Sequence, residues 1–211
     1  MMGKAMLKVW GRANSMCVQK VLWCCGEIGL QFARVDIGGH FGGNRSPEYL
    51  ALNPNGVVPT LDDDGFILWE SNAIVRYLAA KYDPDGLVPI DPAGRADAER
   101  WMDWQINAMA PWMPTIFLGL VRTPAERRDH HAIDAARAEV AKALAILEAH
   151  LAKHDYVSGS RLTVGDIPVG ISVWRFFQLP VERPAFPHID AWQRRLEARA
   201  PFRAHVMGPL H

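Results

Sequence analysis

The chain has 211 residues, of which 49% are hydrophobic and 22% are charged, and 23 acidic residues balance 23 lysines and arginines. This length and composition are ordinary for one or two packed globular domains. The even charge balance disfavours a nucleic-acid partner, which requires a basic surface, and no apolar run approaches the roughly 20 residues that span a bilayer. Because no apolar signal core precedes the first predicted strand, we expect a cytoplasmic protein with no membrane partner.

The N-terminal part of the chain alternates between strand and helix patterns. Short apolar or alternating runs between turn residues predict strands at residues 7–10, 32–36, 57–61 and 66–69. Helical spacing and cap residues predict helices at residues 18–28, 46–52 and 71–82, with Ser71 as the cap of the last one. The glycine-rich residues 37–43 predict a loop. The order βαβαββα predicts a mixed four-stranded sheet with helices packed on it.

Only helical patterns follow a proline-rich linker at residues 83–92. The predicted helices cover residues 95–107 with an interrupted continuation to 117, 126–153, 163–177 and 188–200. Thr163 and Asp166 form a predicted capping box at the start of one of them. Pro168 is expected to kink the same helix, because a proline inside a helix removes a backbone hydrogen bond. We expect two domains, at residues 5–83 and 92–211.

Two motifs carry a resemblance to a known family. Residues 53–59 read Asn-Pro-Asn-Gly-Val-Val-Pro before the third strand, and residues 69–74 read Trp-Glu-Ser-Asn-Ala-Ile before the third helix. With an Asn14-Ser15 turn after the first strand and an all-helical tail, they resemble the cytosolic glutathione S-transferases, in particular bacterial theta-like members. The resemblance covers essentially the whole chain. It implies a fold of class α/β plus all-α: a thioredoxin-like glutathione-binding domain and an all-helical domain, in a homodimer.

The resemblance assigns glutathione to residues at the third strand and the third helix. Pro59 lacks a ladder donor, so it is expected at a strand start or edge. The family implies a cis peptide before Pro59 and pairing of the Val58 backbone with the cysteinyl part of glutathione. A helix N-terminus favours an anion. The family accordingly implies that Ser71 takes the γ-glutamyl carboxylate and that Glu70 faces the amino group, although Ser71 would also serve as a simple helix cap.

A glutathione transferase must hold a thiolate near neutral pH, where a free thiol of pKa ~8.5 is mostly protonated. A hydrogen-bond donor at a helix start supplies this stabilisation. By the family's pattern Ser15 is the first candidate for that donor and Asn14 the second, while Arg12 adds positive potential. Both Ser15 and Asn14 are also common helix caps. Cys17, two residues past Ser15, offers the alternative of a mixed disulfide with glutathione, as in the beta and omega members.

Two departures from the family limit the transfer of roles. Gly56 stands where several relatives have a histidine for the glycyl carboxylate, so Asn44, with His40 and Arg45 as alternatives, is the candidate for that contact. Asn72 stands where many relatives have an arginine.

The electrophile pocket is expected at the interrupted helix. Prolines break the helical pattern there, and aromatic and methionine side chains form an adaptable apolar surface. The candidate pocket residues are Asn107, Trp112, Met113 and Phe117. Adjacent histidines at residues 130 and 131 diverge on a helix, so no metal site is expected.

The sequence therefore predicts a glutathione S-transferase, an enzyme of detoxification that transfers alkyl or aryl groups. Its co-substrate is glutathione, and its second substrate is a small hydrophobic electrophile, with dehalogenation as one form of the reaction. Two alternatives stay open: a binding or regulatory module with this fold and little turnover, and a Cys17-dependent glutathione disulfide oxidoreductase.

Overall fold

A computed structural model describes residues 7–210, so the predicted domain limits at residues 5 and 211 lie outside the described residues. Its sheet has four strands in the order β2-β1-β3-β4: β1 (Leu7–Trp10), β2 (Phe32–Val35), β3 (Thr60–Asp63) and β4 (Phe66–Trp69). β1 pairs with β2 in parallel, and the other two pairings are antiparallel. The predicted mixed sheet of four strands is confirmed.

Three α-helices accompany the sheet: α1 (Met16–Glu27), α2 (Pro47–Leu52) and α3 (Ser71–Tyr82). The order βαβαββα is confirmed. The third strand begins at Thr60 and not at residue 57, because the Val57 carbonyl accepts hydrogen bonds from the Tyr49 hydroxyl at 2.7 Å and from Asn53 Nδ2 at 2.9 Å. The predicted loop at residues 37–43 contains a short 3₁₀ turn, Gly39–Phe41.

The C-terminal domain is helical, as predicted. Its α-helices are α4 (Pro92–Trp104), α5 (Met113–Phe117), α6 (His130–Leu151), α7 (Asp166–Phe177), α8 (Pro187–Glu197) and α9 (Ala200–His205). Two π-helical segments, Gln105–Met109 and Leu118–Arg122, flank α5, and a 3₁₀ turn, Ala125–Arg127, precedes α6. None of the helices within residues 7–210 is long and apolar enough to cross a membrane.

The start of α7 corrects one expectation. α7 begins at Asp166, so Pro168 is its third residue. The N–H groups of a first helical turn have no intrahelical acceptor, and a proline there removes no hydrogen bond. The expectation that Pro168 kinks α7 by removing a backbone hydrogen bond is therefore wrong. The reciprocal bond of the predicted capping box is present, because the Thr163 N–H donates to Asp166 Oδ2 at 2.8 Å.

α1 lies between the sheet and the helical domain, which explains its burial. All eight residues from Val18 to Cys25 are buried. Trp23 packs edge-on against Phe202 of α9 with ring centroids 4.8 Å apart, and Arg199 forms an ion pair with Glu27 at 2.6 Å. A helix packed on both sides holds its N-terminal end in a fixed position between the two domains, and that end carries Ser15.

Candidate functional site

Three loops meet where β1 ends. The Gly11 N–H donates to the Val35 carbonyl at 2.9 Å, and the Arg12 N–H donates to the Ile37 carbonyl at 3.2 Å. A Cβ atom on Gly11 would lie 2.3 Å from a methyl of Val18 and 3.3 Å from Val58 Cβ. Only glycine fits this approach, so the turn after β1, the loop after β2 and the loop before β3 form one surface.

The peptide bond between Val58 and Pro59 is cis, as the resemblance implies. Within residues 7–210, neither the N–H nor the carbonyl of Val58 takes part in a hydrogen bond. Val58 is also half-buried. Its backbone therefore offers one donor and one acceptor to an extended ligand.

The N-terminus of α3 faces the same region and corrects the predicted cap. Glu70, which is exposed and has φ 71°, is the N-cap, and Ser71 is the first helical residue. The Glu70 carbonyl accepts the Ile74 N–H at 2.9 Å. The N–H groups of the first turn have no intrahelical acceptor, and the helix dipole adds positive potential there. Ser71, at this positive end, is only 7% exposed.

A buried lysine, which the sequence reasoning missed, joins α1 to the start of α3. Lys20 is 3% exposed, and its ammonium donates to Asn72 Oδ1 and to Gln105 Oε1, both at 3.1 Å. Burial lowers the pKa of Lys20, and the nearby Cys17 and Glu70 act in the opposite direction. The one signal in the sequence was a lysine within an apolar helical segment. This ammonium places a positive charge beside Asn72, the position at which the resemblance implies an arginine in other members of the family.

Ser15 occupies the N-cap position of α1 but makes no capping hydrogen bond with its side chain. Interpretation of Ser15 as a side-chain cap is therefore wrong. Its own N–H donates to the Arg12 carbonyl at 3.1 Å. Arg175 of α7 donates to the Asn14 carbonyl at 2.6 Å and to Gln19 Oε1 at 3.1 Å. The helical domain thereby braces the turn that carries both predicted thiolate donors.

A cleft of about 250 Å³ opens beside Ser15, between the two domains. Of the four predicted pocket residues, Met113 and Phe117 line it, whereas Asn107 and Trp112 are not among its lining residues. The Asn107 amide donates to the Asp103 carbonyl at 2.8 Å, and Trp112 is 38% exposed. The remaining lining residues are Arg12, Asn14, Ser15, Met16, Cys17, Pro114, Leu118, Arg122 and Arg175. Cys17 and Ser15 therefore face the same cleft.

The candidates for the glycyl carboxylate have other contacts. The Asn44 amide donates to the Gly56 carbonyl at 2.7 Å, and Arg45 donates to the Asn55 carbonyl at 3.3 Å. These bonds tie the loop after β2 to the loop before β3. His40 lines a second cavity of about 320 Å³, together with Arg12 and His205.

Comparison with known proteins agrees with this architecture. The glutathione S-transferase N-terminal domain model matches residues 5–80, and the C-terminal domain model matches residues 108–200. Glutathione S-transferase GstB of Escherichia coli (strain K12) is 43% identical over 207 residues, which are 97% of this chain and 100% of that protein. Glutathione S-transferase 3 of Zea mays is 35% identical, over 96% of this chain and 94% of its own length.

A solved structure extends the comparison to the fold. The theta class glutathione S-transferase from Xanthomonas axonopodis pv. citri, with glutathione bound, superposes with a TM-score of 0.94 at 49% identity, over 97% of this chain and 99% of that one. The thioredoxin-like domain followed by a helical domain is the architecture of the glutathione S-transferases, and the match to this structure covers nearly the whole chain. The chain belongs to the glutathione S-transferase family.

Proposed function

We propose that the protein ionises the thiol of glutathione at Ser15 and directs it at a small electrophile held against Met113 and Phe117. Glutathione lies extended along the Val58 backbone, with its γ-glutamyl carboxylate at Ser71 and its amino group at Glu70. The Ser15 hydroxyl donates to the thiolate, with Asn14 as the second candidate. Where the electrophile bears a halide, the same attack is a dehalogenation.

The observation that carries this proposal is the set of open groups around β1. The Val58 backbone has no partner within residues 7–210, the first turn of α3 has unpaired N–H groups, and the Ser15 hydroxyl makes no cap bond. Lys20 lies within electrostatic range of Cys17, near Ser15, and of Glu70, next to Ser71. The Ser15 end and the Ser71 end of the site are thus both within electrostatic range of the Lys20 side chain, a separation that suits a single tripeptide.

Binding to immobilised glutathione and thiolate absorbance against pH test the assignment in the wild type, Ser15→Ala and Asn14→Ala. We expect Ser15→Ala to retain binding and to raise the pKa of the bound thiol by about one to two units. That shift corresponds to loss of one hydrogen bond to a charged group, roughly 1.5–3 kcal/mol. Unchanged ionisation in both variants would remove these side chains from the mechanism.

Cys17 supports a second candidate function, because it lines the cleft beside Ser15. In that function the Cys17 thiolate forms a mixed disulfide with glutathione. The substitution Cys17→Ala separates the two candidate functions, since it would abolish disulfide reduction and leave conjugation in place.

We also propose that the protein is a cytoplasmic homodimer, with domains at residues 5–83 and 92–211. Light scattering in solution measures the oligomeric state.

A further inference from the structure

Three arginines line the cleft beside Ser15. Arg12 comes from the turn after β1, Arg122 from the segment after α5, and Arg175 from α7. Among the described residues that line this cleft there is no aspartate or glutamate.

Two of the three guanidinium groups, those of Arg12 and Arg175, have a lowered pKa. Burial lowers the pKa of Arg12, and the charge of Arg122 lowers it further. Burial lowers the pKa of Arg175 to about 10; Cys17 opposes this shift, while Arg12 and Arg122 add to it. Like charges that repel in this way create a strong positive potential in the space between them.

Two of these guanidinium groups lie against the apolar wall of the cleft. Arg122 lies 5.4 Å and Arg175 lies 5.7 Å from the centroid of the Phe117 ring. Phe117 belongs to the helical domain and lines the cleft opposite the turn that follows β1. A molecule resting on Phe117 and Met113 therefore meets positive charge at its edge.

We propose that this cleft selects electrophiles that carry a carboxylate. The proposal rests on the proposed function and adds the charge of the second substrate to it. A guanidinium group binds a carboxylate through paired, charge-assisted hydrogen bonds, and the partly closed cleft strengthens that attraction. To a second anion the cleft presents guanidinium groups and, among the lining residues that the structure describes, no acidic side chain.

A chloronitrobenzoate is a suitable probe of this selection. The thiolate sulfur adds to the ring carbon that bears chlorine and forms a C–S bond. The C–Cl bond then breaks, and chloride leaves with the bonding electron pair. The thiol proton passes to solvent.

The test compares 4-chloro-3-nitrobenzoate with 4-chloro-3-nitrobenzamide, which has the same ring and leaving group but no charge. We compare kcat/KM for the two, each divided by its uncatalysed rate with glutathione. We expect the wild type to prefer the benzoate by about tenfold to hundredfold, the range for one hydrogen-bonded charge. Arg122→Gln should reduce that ratio by about tenfold, and Arg122→Lys should retain part of it.

Equal normalised values for both probes in the wild type would overturn the proposal. A loss that is equal for both probes in Arg122→Gln would also overturn it, because the charges would then act on the thiolate alone. Raising the salt concentration tests the wild type without any substitution, since screening should lower the preference. The neutral 1-chloro-2,4-dinitrobenzene separates failure of the carboxylate selection from failure of the proposed function. If it is turned over but the benzoate is not preferred to the benzamide, only the carboxylate selection is refuted. If no probe is turned over, the proposed function is refuted.

Discussion

Replacement of Asp166 by alanine should be among the most destabilising changes in the helical domain. Its buried carboxylate accepts from the Val157 N–H at 3.0 Å, from the Thr163 N–H at 2.8 Å and hydroxyl at 3.2 Å, and from Trp192 Nε1 at 3.0 Å. Val157, Thr163 and Trp192 are at most 1% exposed, so water cannot replace the lost acceptor. Three orphaned N–H donors cost about 1–3 kcal/mol each.

Removal of the buried negative charge offsets part of that cost, and we expect a net loss of about 4 kcal/mol. This loss is the summed cost of the unsatisfied donors less that offset. For a chain of this size it corresponds to a fall in Tm of roughly 8–16 °C. Urea unfolding and calorimetry measure it, with Asp166→Asn as the matched control that keeps one acceptor oxygen and should lose about half as much. A loss below about 1 kcal/mol in the alanine variant would refute the reasoning.

Asp166 also predicts a pH dependence with a definite sign. Burial raises the pKa of this carboxyl from 3.8 to about 6, although its four donors act in the opposite direction. Because the folded state then binds the proton more tightly than the unfolded state, stability from this group is present at acid pH and is lost as pH rises through 6. The free energy of unfolding of the wild type minus that of Asp166→Asn should fall by about 2.4 kcal/mol between pH 4 and pH 7. A flat difference would contradict the raised pKa.

Three further substitutions test the site. Lys20→Met should raise the glutathione concentration for half-saturation about tenfold, the equivalent of about 1.4 kcal/mol, because it removes the buried charge beside Asn72. Lys20→Arg, which keeps the charge, is the control. Equal half-saturation concentrations in the wild type and both variants would contradict this prediction. Cys17→Ala should retain conjugation within about threefold, since one small side chain at the cleft wall is altered; loss of conjugation would contradict the assignment of thiol activation to Ser15 or Asn14. Phe117→Ala should raise KM for the electrophile about tenfold and leave KM for glutathione nearly unchanged, because Phe117 lies in the helical domain. Steady-state rates measured while both substrate concentrations are varied give the two KM values. An equal rise in both would refute this prediction.

The sheet and most helices could be predicted because their signals are local. Alternation and helical spacing are read within a few residues, and turn residues mark the ends. The starts of helices were less predictable. Thr163 carries the stronger cap signal, and its N–H donates to the Asp166 side chain as a capping box requires, yet the α-helix begins only at Asp166. α9 was missed because it is only six residues long and is fixed by packing of Phe202 on Trp23.

The lining of the candidate electrophile pocket was only partly predictable, for a geometric reason. Extrapolation along a helix assumes 3.6 residues per turn. Here the π-helical segment Gln105–Met109 and the turn that follows it interrupt that register before α5 begins. Met113 and Phe117 therefore face the cleft, while Asn107 and Trp112 do not line it.

Contacts between distant residues were beyond any local pattern. The bond from Lys20 to Gln105 joins residues 85 positions apart, and the bond from Arg175 to Asn14 joins residues 161 positions apart. Ser15 and Ser71 remain candidates from motifs, because each lies in a short segment on which the resemblance rests. The motifs gave no indication of which side chains of the helical domain reach the same site.

Because the candidate site is divided between two domains, its specificity for glutathione and its specificity for the electrophile can change separately. Val58 and Ser71, the candidate contacts for glutathione, lie in the sheet domain, whereas Arg122 and Arg175 lie in the helical domain. A substitution of Arg122 would alter the charge of the cleft without touching the backbone that accepts the tripeptide. Arg175 is different, since it also holds the Asn14 carbonyl at 2.6 Å. Loss of Arg175 should therefore affect both thiol activation and electrophile choice, while loss of Arg122 should act chiefly on the second substrate.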